Sequence, residues 1–297
     1  MLNLWIMNVI VTGACGQLGS ELRTVSGGSA HNYVFTDVAQ ADGSGISYLD
    51  ITDAAAVQEF FKACQPGVVV NCAAYTNVDK AEDDAAAADL LNRQAVRNIA
   101  LAARDCGATV IHISTDYVFG GDGRRPYKEN DAKNPLGVYG RTKLAGEEEL
   151  LQSGCKAIII RTAWLYSPYG KNFVKTMASL MSTRPEVGVV ADQTGSPTYA
   201  ADLASVIYGI IERNQLRHTG VYHFSDQGVV SWFDFAREIC RLGGYACKVK
   251  PLRSSEFPSK VQRPHYSVLD KSKITETFGV DVPYWKDSLA LCLKRME

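Results

Sequence analysis

Short apolar runs and longer amphipathic segments alternate along the first half of the chain. The apolar runs are rich in β-branched residues and lie at 8–12, 33–36, 68–71, 109–114 and 157–161. Because both faces of each run are apolar, they indicate buried strands of a parallel sheet. The segments at 17–25, 53–64, 85–106 and 138–152 have the length and residue spacing of helices. This alternation predicts an α/β fold with a doubly wound parallel sheet of the Rossmann type.

The second half of the chain is less regular, because six prolines interrupt it between positions 168 and 264. Helices are predicted at 172–182, 201–214 and 231–242, and short strands near 187–190 and 221–224. We expect residues 1–162 to form a dinucleotide-binding domain. Residues 163–297 are expected to form mainly a second, smaller α/β substrate-binding lobe, with some segments returning to the main sheet.

The composition narrows the classes of partner. With 31 basic and 32 acidic side chains the net charge is −1, so we expect neither nucleic acid nor a membrane surface as a partner. The apolar opening run at 2–12 lacks a basic start and is shorter than the ~20 residues of a membrane span. Eight cysteines occur without a CxxC pair, and the five histidines lack metal-ligand spacing. We therefore expect no disulfide framework, no metal site and a cytoplasmic location.

A glycine-rich turn follows the first predicted strand directly. Gly13, Gly16 and Gly19 are spaced GxxGxxG, and Gln17 and Leu18 open the next helix. In such a turn the first glycine permits a tight bend, the second lets the backbone approach a pyrophosphate, and the third allows close helix packing. The helix N-terminus then faces the anion. A purely structural turn is the alternative, but the position between strand and helix favours nucleotide binding.

Acidic residues stand where the adenosine half of a dinucleotide would lie. Asp37 follows the second strand, 18 residues after Gly19, and can accept hydrogen bonds from the ribose hydroxyls. This placement favours NAD. Asp50 and Ile51 follow the next short run and are expected to flank the adenine. A solvated loop position is the competing interpretation of Asp37.

Three further residues suggest carbonyl chemistry. Tyr139 and Lys143 are spaced i, i+4 near the start of a predicted helix, so both lie on one face. An ammonium beside a phenol favours phenolate, and we expect the pKa of Tyr139 to fall from its usual value of about 10. The lysine can also donate to a nicotinamide ribose. Thr115 closes the fourth predicted strand at its carboxyl end, where its hydroxyl can hold a carbonyl oxygen during reduction.

These motifs resemble those of the extended short-chain dehydrogenase/reductase family. The likeness is carried by the glycine turn, by segments 71–80, 114–120, 161–164 and 192–198, by Tyr139 to Lys143, and by Arg263-Pro264. Within the family these segments are similar to those of reductases of dTDP-4-keto-6-deoxy sugar nucleotides. The resemblance implies that NADPH or NADH is the cofactor and that hydride is transferred to C4 of such a sugar nucleotide. Tyr139 would protonate the incipient alkoxide.

The resemblance also implies roles for individual residues. Thr115, Tyr139 and Lys143 would form the catalytic set, and Tyr117 and Trp164 would line the sugar pocket. The diphosphate of the substrate needs cations, for which Arg263 and Lys171 are candidates. Besides the glycine turn, Asp37, Asp50 and Ile51, the residues implied to bind or support the cofactor are Ala73, Ala74, Tyr75, Asn92, Tyr139 and Lys143.

Two other functions stay open at this point. Tyr117 stands where the similar sugar-nucleotide dehydratases carry a glutamate for β-elimination, so reduction is favoured over dehydration. One alternative is a non-catalytic NADP-binding protein resembling the regulatory subunit of methionine adenosyltransferase. The other is a 4-keto reductase for a different dTDP-6-deoxyhexose. The sequence leaves open the choice between NADH and NADPH, the C4 configuration, the bound magnesium of some relatives, and assembly as a homodimer.

Overall fold

A computed structural model describes residues 6–39, 45–257 and 259–296; residues 2–5 of the opening run lie outside the described residues. The strands are β1 Asn8–Thr12, β2 Asn32–Asp37, β3 Ile46–Tyr48, β4 Pro66–Asn71, β5 Thr109–Thr115, β6 Lys156–Thr162, β7 Leu165–Tyr166, β8 Glu186–Val190, β9 Thr194–Gly195, β10 Thr198–Tyr199, β11 Gly220–His223, β12 Val230–Ser231 and β13 Lys248–Leu252. The helices are α1 Gln17–Val25, α2 Ala54–Cys64, α3 Val78–Asp83, α4 Ala85–Asp89, α5 Ala95–Cys106, α6 Val138–Gln152, α7 Phe173–Thr183, α8 Ala200–Glu212, α9 Trp232–Leu242, α10 Ser272–Phe278 and α11 Trp285–Lys294.

Seven parallel strands form the main sheet, in the order β11-β6-β5-β4-β1-β2-β3. Its central strands are apolar on both faces because helices cover both sides; Val68, Val69 and Val70 of β4 are fully buried. The strand order reverses between β1 and β4, which creates a crevice at their carboxyl ends. The prediction of a doubly wound Rossmann-type sheet is therefore confirmed.

Separate hydrophobic cores lie on the two faces of this sheet. On one face α1, α8 and α10 supply residues such as Leu22, Ile207 and Phe278. On the other, α2 and α5 supply residues such as Phe61 and Ile99. Three segments after residue 163 thus belong to the main sheet or pack on it: α8, β11 and α10. The domain boundary between residues 162 and 163 stays a prediction.

A third core joins α7, α9 and α11 to the small parallel pair of β8 and β13. Phe235 and Leu289 are fully buried within it. This part of the chain lies beside the carboxyl edge of the main sheet through β7 and β10, which follow β6 and precede α8. It therefore supplies a second wall for the crevice.

The structure differs from the predicted elements at one helix, and it contains β13, α10 and α11, which were not predicted. The helix predicted over 85–106 is interrupted, because a π-helical turn at Leu90–Gln94 separates α4 from α5. Short π turns of this kind are frequent at functional sites. Strand β3 has three residues and was not predicted. The helix predicted from 53 begins one residue later, since Asp53 caps it by accepting from the N–H groups of Ala55 and Ala56.

Candidate functional site

A cavity of about 710 Å³ opens at the carboxyl ends of the central strands, in the crevice between β1 and β4. Most of the predicted site residues line it: Gly13, Gly16, Gln17, Leu18, Asp37, Asp50, Ile51, Ala73, Ala74, Thr115, Tyr117, Tyr139, Lys143, Trp164, Lys171 and Arg263. Gly19, Tyr75 and Asn92, which were also predicted to bind or support the cofactor, are not among the lining residues. Residues far apart in sequence are thus brought together by the sheet edge and by the second part of the chain beside it.

The glycine turn has the close contacts that its spacing predicts. Gly13 has φ +67°, and a Cβ there would lie 2.6 Å from the backbone nitrogen of Ala73. A Cβ at Gly19 would overlap the backbone of Gly13 and Ala14, so this glycine lets α1 pack on the turn. Gly16 is the N-cap of α1, with no side chain to cover the amide groups of the first turn. The turn therefore fits a pyrophosphate held by backbone N–H groups.

Asp37 ends β2 with its carboxylate held at the cavity edge. One oxygen accepts from the N–H of Cys15 and the other from the N–H of Ala39, each at 2.9 Å. Asp50 is similarly fixed, since its Oδ1 accepts from the N–H and the hydroxyl of Thr52 at 2.9 and 2.7 Å. Both carboxylates retain lone pairs for a ribose hydroxyl, because each oxygen can accept more than one hydrogen bond.

Asn92 supports the cavity from behind. Its buried amide accepts from the N–H of Tyr75 at 2.9 Å and donates to the carbonyl of the same residue at 3.1 Å. It also donates to the hydroxyl of Thr142 on α6 at 3.1 Å. Asn92 and Tyr75 therefore tie the loop after β4 to the helix that carries Tyr139 and Lys143.

The three residues expected to be catalytic meet at one wall. Thr115 is buried at the end of β5, where its hydroxyl accepts from the N–H of Tyr117 at 3.2 Å and donates to Asp116 at 3.1 Å. Tyr139 is also hydrogen-bonded to Thr115. The Lys143 ammonium group is buried and donates to the carbonyl of Ile113 at 2.6 Å.

The expected fall in the pKa of Tyr139 is wrong. Burial raises the pKa of this phenol well above its usual value, and the hydrogen bond with Thr115 opposes the rise only in part. Burial also lowers the pKa of Lys143 to about 8. The sequence spacing placed the two groups together correctly, but desolvation disfavours the charged form of each group.

Aromatic side chains also line the cavity. Trp164 follows β6 with φ +50°, a strained conformation for a bulky residue, and its indole stacks on Trp232 with 3.5 Å between ring centroids. Tyr117 meets Tyr139 edge to face at 5.5 Å. The sequence did not reveal Trp232, because it belongs to no motif and simply begins α9.

Arg263 lines the cavity but is not a free cation. Its guanidinium donates to the carboxylate of Asp79 at 2.8 Å, and its charge lowers the pKa of Tyr117 against the larger effect of burial, which raises it to about 12. Asp79 begins the acidic stretch on α3, so this ion pair connects the lobe to the main domain.

Among the described residues no cluster of three or more His, Cys, Asp or Glu side chains is arranged to hold a metal ion. Nor does the described part contain a helix with the length and apolarity to cross a bilayer.

Comparison with known proteins gives extensive matches. The model of the RmlD substrate binding domain matches residues 7–297. A dTDP-4-dehydrorhamnose reductase of Aggregatibacter actinomycetemcomitans is 38% identical over 290 residues, covering 95% of this chain and 96% of the relative. The crystal structure of a dTDP-4-dehydrorhamnose reductase from Clostridium acetobutylicum superposes with a TM-score of 0.91 at 42% identity, covering 98% and 99% of the two chains. One from Bacillus anthracis, solved in complex with NADP, gives 0.90 at 36%, covering 98% and 100%.

Proposed function

The chain belongs to the RmlD substrate binding domain family, and from this premise we propose that it is an NADPH- or NADH-dependent oxidoreductase. The reaction is reduction of the C4 ketone of dTDP-4-dehydro-L-rhamnose to dTDP-L-rhamnose. The observation that carries the proposal is the meeting of Thr115, Tyr139 and Lys143 on one wall of a cavity whose floor is the glycine turn. Relatives named for this activity match over nearly their whole length.

Each part of the cavity has a task in this reaction. The nicotinamide supplies the hydride when the cofactor is bound. The glycine turn binds the pyrophosphate, and Asp37 accepts from the adenosine ribose. With substrate bound, the Thr115 hydroxyl turns its proton from Asp116 to the ketone oxygen and holds that oxygen beside the phenol of Tyr139, which gives its proton to it as charge develops there. Lys143 orients the nicotinamide ribose.

The second half of the chain supplies most of the proposed substrate contacts. Trp164 and Trp232 offer a flat apolar surface for the sugar or base, and Tyr117 extends it toward Tyr139. We assign Arg263 to the diphosphate, although Asp79 competes for its charge. We accordingly assign residues 163–297 mainly to substrate binding. Assembly as a homodimer stays a prediction. The predicted cytoplasmic location is supported by the eight free cysteines, because disulfides are rare in reducing compartments.

The decisive assay supplies the dTDP-4-keto sugar with NADPH and NADH in separate reactions and identifies the product by NMR. We expect coenzyme oxidation and dTDP-L-rhamnose. The opposite C4 configuration would instead indicate a reductase of another dTDP-6-deoxyhexose. Coenzyme binding without turnover would favour the non-catalytic alternative.

Tyr139→Phe tests the assigned proton donor. The variant removes only the hydroxyl, so kcat should fall by about 10²- to 10⁴-fold. NADPH affinity should change little, because Lys143 and the glycine turn are retained. Wild-type turnover in this variant would refute the assignment.

A further inference from the structure

The side chain of Gln17 is bonded to the second half of the chain, although its backbone belongs to the glycine turn. Its amide is hydrogen-bonded to strand β7 and to residues 167–172, which join β7 to α7 and are called here the β7–α7 loop. Gly170 and Lys171 of this loop line the cavity, and so does Trp164, which directly precedes β7. A residue of the cofactor motif thus holds a segment on the substrate side.

A backbone N–H fixes the orientation of both amides in this contact. The N–H of Lys175 can only donate, and it lies 3.0 Å from Oδ1 of Asn172, the N-cap of α7. Nδ2 of Asn172 is therefore the atom that faces Gln17, and because Nδ2 only donates, the atom 2.9 Å away is the acceptor Oε1. Nε2 of Gln17 is then left to donate to the carbonyl of Leu165, at 3.4 Å.

The same oxygen of Gln17 also holds the beginning of the β7–α7 loop. Ser167 is fully buried, and its hydroxyl lies 3.1 Å from Oε1 of Gln17 while accepting from the N–H of Tyr169 at 3.1 Å. Nδ2 of Asn172 also donates to the carbonyl of Ser167, at 2.7 Å, and so closes the loop. Both ends of the loop are therefore bonded to one side-chain atom of Gln17.

A second connection to the loop begins one turn further along α1. Glu21 is 2% exposed and accepts from Arg295, which follows α11, at 2.9 Å. The guanidinium of Arg295 lies 5.8 Å from the ring centroid of Tyr169 and 3.5 Å from its hydroxyl. This connection reaches the loop through one aromatic side chain, whereas Gln17 holds both of its ends and directly follows Gly16 of the turn.

We propose that Gln17 and Asn172 are positioning residues through which a cofactor bound at the glycine turn orders the substrate side of the cavity. When a pyrophosphate is bound at the start of α1, the backbone of Gln17 is restrained, and its amide in turn restrains the β7–α7 loop. Lys171 then meets the sugar nucleotide from a segment that is already ordered, which favours binding. The inference rests on the proposed function, since that function places the pyrophosphate at the glycine turn.

Hydrogen exchange of the backbone amides measures this effect without any turnover. Exchange of the whole chain with and without saturating NADP⁺ is followed by mass spectrometry in two segments, residues 13–20 and 165–175. In the wild-type chain NADP⁺ should slow exchange in both, by about fivefold or more in the second, as a coupling of typical size produces. Slowing in residues 13–20 alone overturns the inference and leaves the proposed function intact. Slowing in neither segment overturns the cofactor placement as well.

Two variants separate this route from direct contact between the cofactor and the loop. Gln17→Met keeps the length and helix propensity of the side chain but removes its amide. Asn172→Ser keeps an N-cap residue for α7 but removes the amide donor to Gln17. Both variants should keep the slowing in residues 13–20. The slowing in 165–175 should be lost in Gln17→Met and reduced in Asn172→Ser, in which Ser167 still reaches Gln17. Undiminished slowing in either variant overturns the inference, so each decides the question even if the other folds poorly.

Thr24→Ala is the matched control on α1. The exposed Thr24 hydroxyl donates to the carbonyl of Ser20 within the same helix, at 3.2 Å. The control should therefore keep the slowing in both segments. If it loses the slowing in 165–175, a weakened α1 and not the missing amide explains the variants, and the inference is overturned.

Steady-state kinetics of Asn172→Ser connects the loop to the substrate. With saturating NADPH, KM for the sugar nucleotide should rise about fivefold, while kcat and KM for NADPH change little, because binding is lost equally from the ground state and the transition state. An unchanged KM for the sugar nucleotide overturns the inference. If the wild-type chain does not oxidise NADPH with the keto sugar, the proposed function fails, while hydrogen exchange still decides whether Gln17 restrains the loop.

Discussion

Helix α6 carries Tyr139 and Lys143, and glycines allow it to lie unusually close to its neighbours. A Cβ added at Gly146 would come closer than 3.0 Å to the carbonyl oxygen of Asn92 in the π-helical turn. This oxygen belongs to the backbone, so only movement of a whole element can relieve the overlap. We predict that Gly146→Ala displaces α6 and lowers both the stability of the protein and its reductase activity.

Two opposing effects set the size of the change in stability. Alanine is favoured over glycine in a helix interior by about 1 kcal/mol. Overpacking a close contact costs roughly 1–3 kcal/mol. The variant should therefore lose on the order of 1 kcal/mol of unfolding free energy, or a Tm lower by about 2–4 °C. A displacement of about 1 Å can cost up to roughly 100-fold in rate, so kcat should fall about 10- to 100-fold.

Urea unfolding and steady-state kinetics measure the two effects, with Gly209→Ala in α8 as the matched control. The three atoms nearest to a Cβ at Gly209 would belong to the flexible guanidinium of Arg213, at 3.0 to 3.2 Å. Helix propensity should prevail there and stabilise the protein by up to about 1 kcal/mol without loss of activity. If Gly146→Ala behaves like this control, close packing of α6 does not position the catalytic residues.

Other substitutions test separate parts of the structure. Trp232→Ala removes the ring stacked on Trp164 and should raise KM for the sugar nucleotide about 10-fold or more while leaving NADPH affinity unchanged. Asp37→Asn removes the charge and one of the two backbone hydrogen bonds of the side chain, because an amide nitrogen cannot accept from the N–H of Cys15 or Ala39; the ratio of NADPH to NADH affinity, measured by fluorescence titration, should rise several-fold, and an unchanged ratio would argue against ribose contact. Glu147→Ala leaves the buried Arg161 without its carboxylate and should cost about 3–5 kcal/mol in urea unfolding.

The sequence was sufficient for those features that depend on local pattern. The mostly apolar runs of β1, β4 and β5 identified a buried parallel sheet, since strands covered on both faces carry apolar residues on both. The sheet then placed Gly13, Thr115 and Tyr139 at one edge, although they are distant in the chain.

Features that depend on packing between distant segments were not predicted. The sequence of residues 85–106 does not distinguish a continuous α-helix from one interrupted by a π turn. In the structure the turn is accompanied by hydrogen bonds of Asn92 with Tyr75 and Thr142, which lie outside this segment. Trp232 acquires its place only through its stacking on Trp164. Tertiary contacts therefore determine both the position of Trp232 and the π turn that interrupts the helix.

The acid–base chemistry of the site shows most clearly why spacing alone was insufficient. An i, i+4 pair predicts that Tyr139 and Lys143 are neighbours, but the sign of each pKa shift depends on how completely the fold encloses them. Enclosure raises the pKa of the phenol and lowers that of Lys143 to about 8, so at neutral pH the phenol is protonated and most of Lys143 is still an ammonium. A raised phenol pKa does not prevent proton transfer to the ketone oxygen, because the alkoxide formed by hydride transfer is a much stronger base than phenolate. Burial of the pair therefore maintains the protonated donor that carbonyl reduction requires.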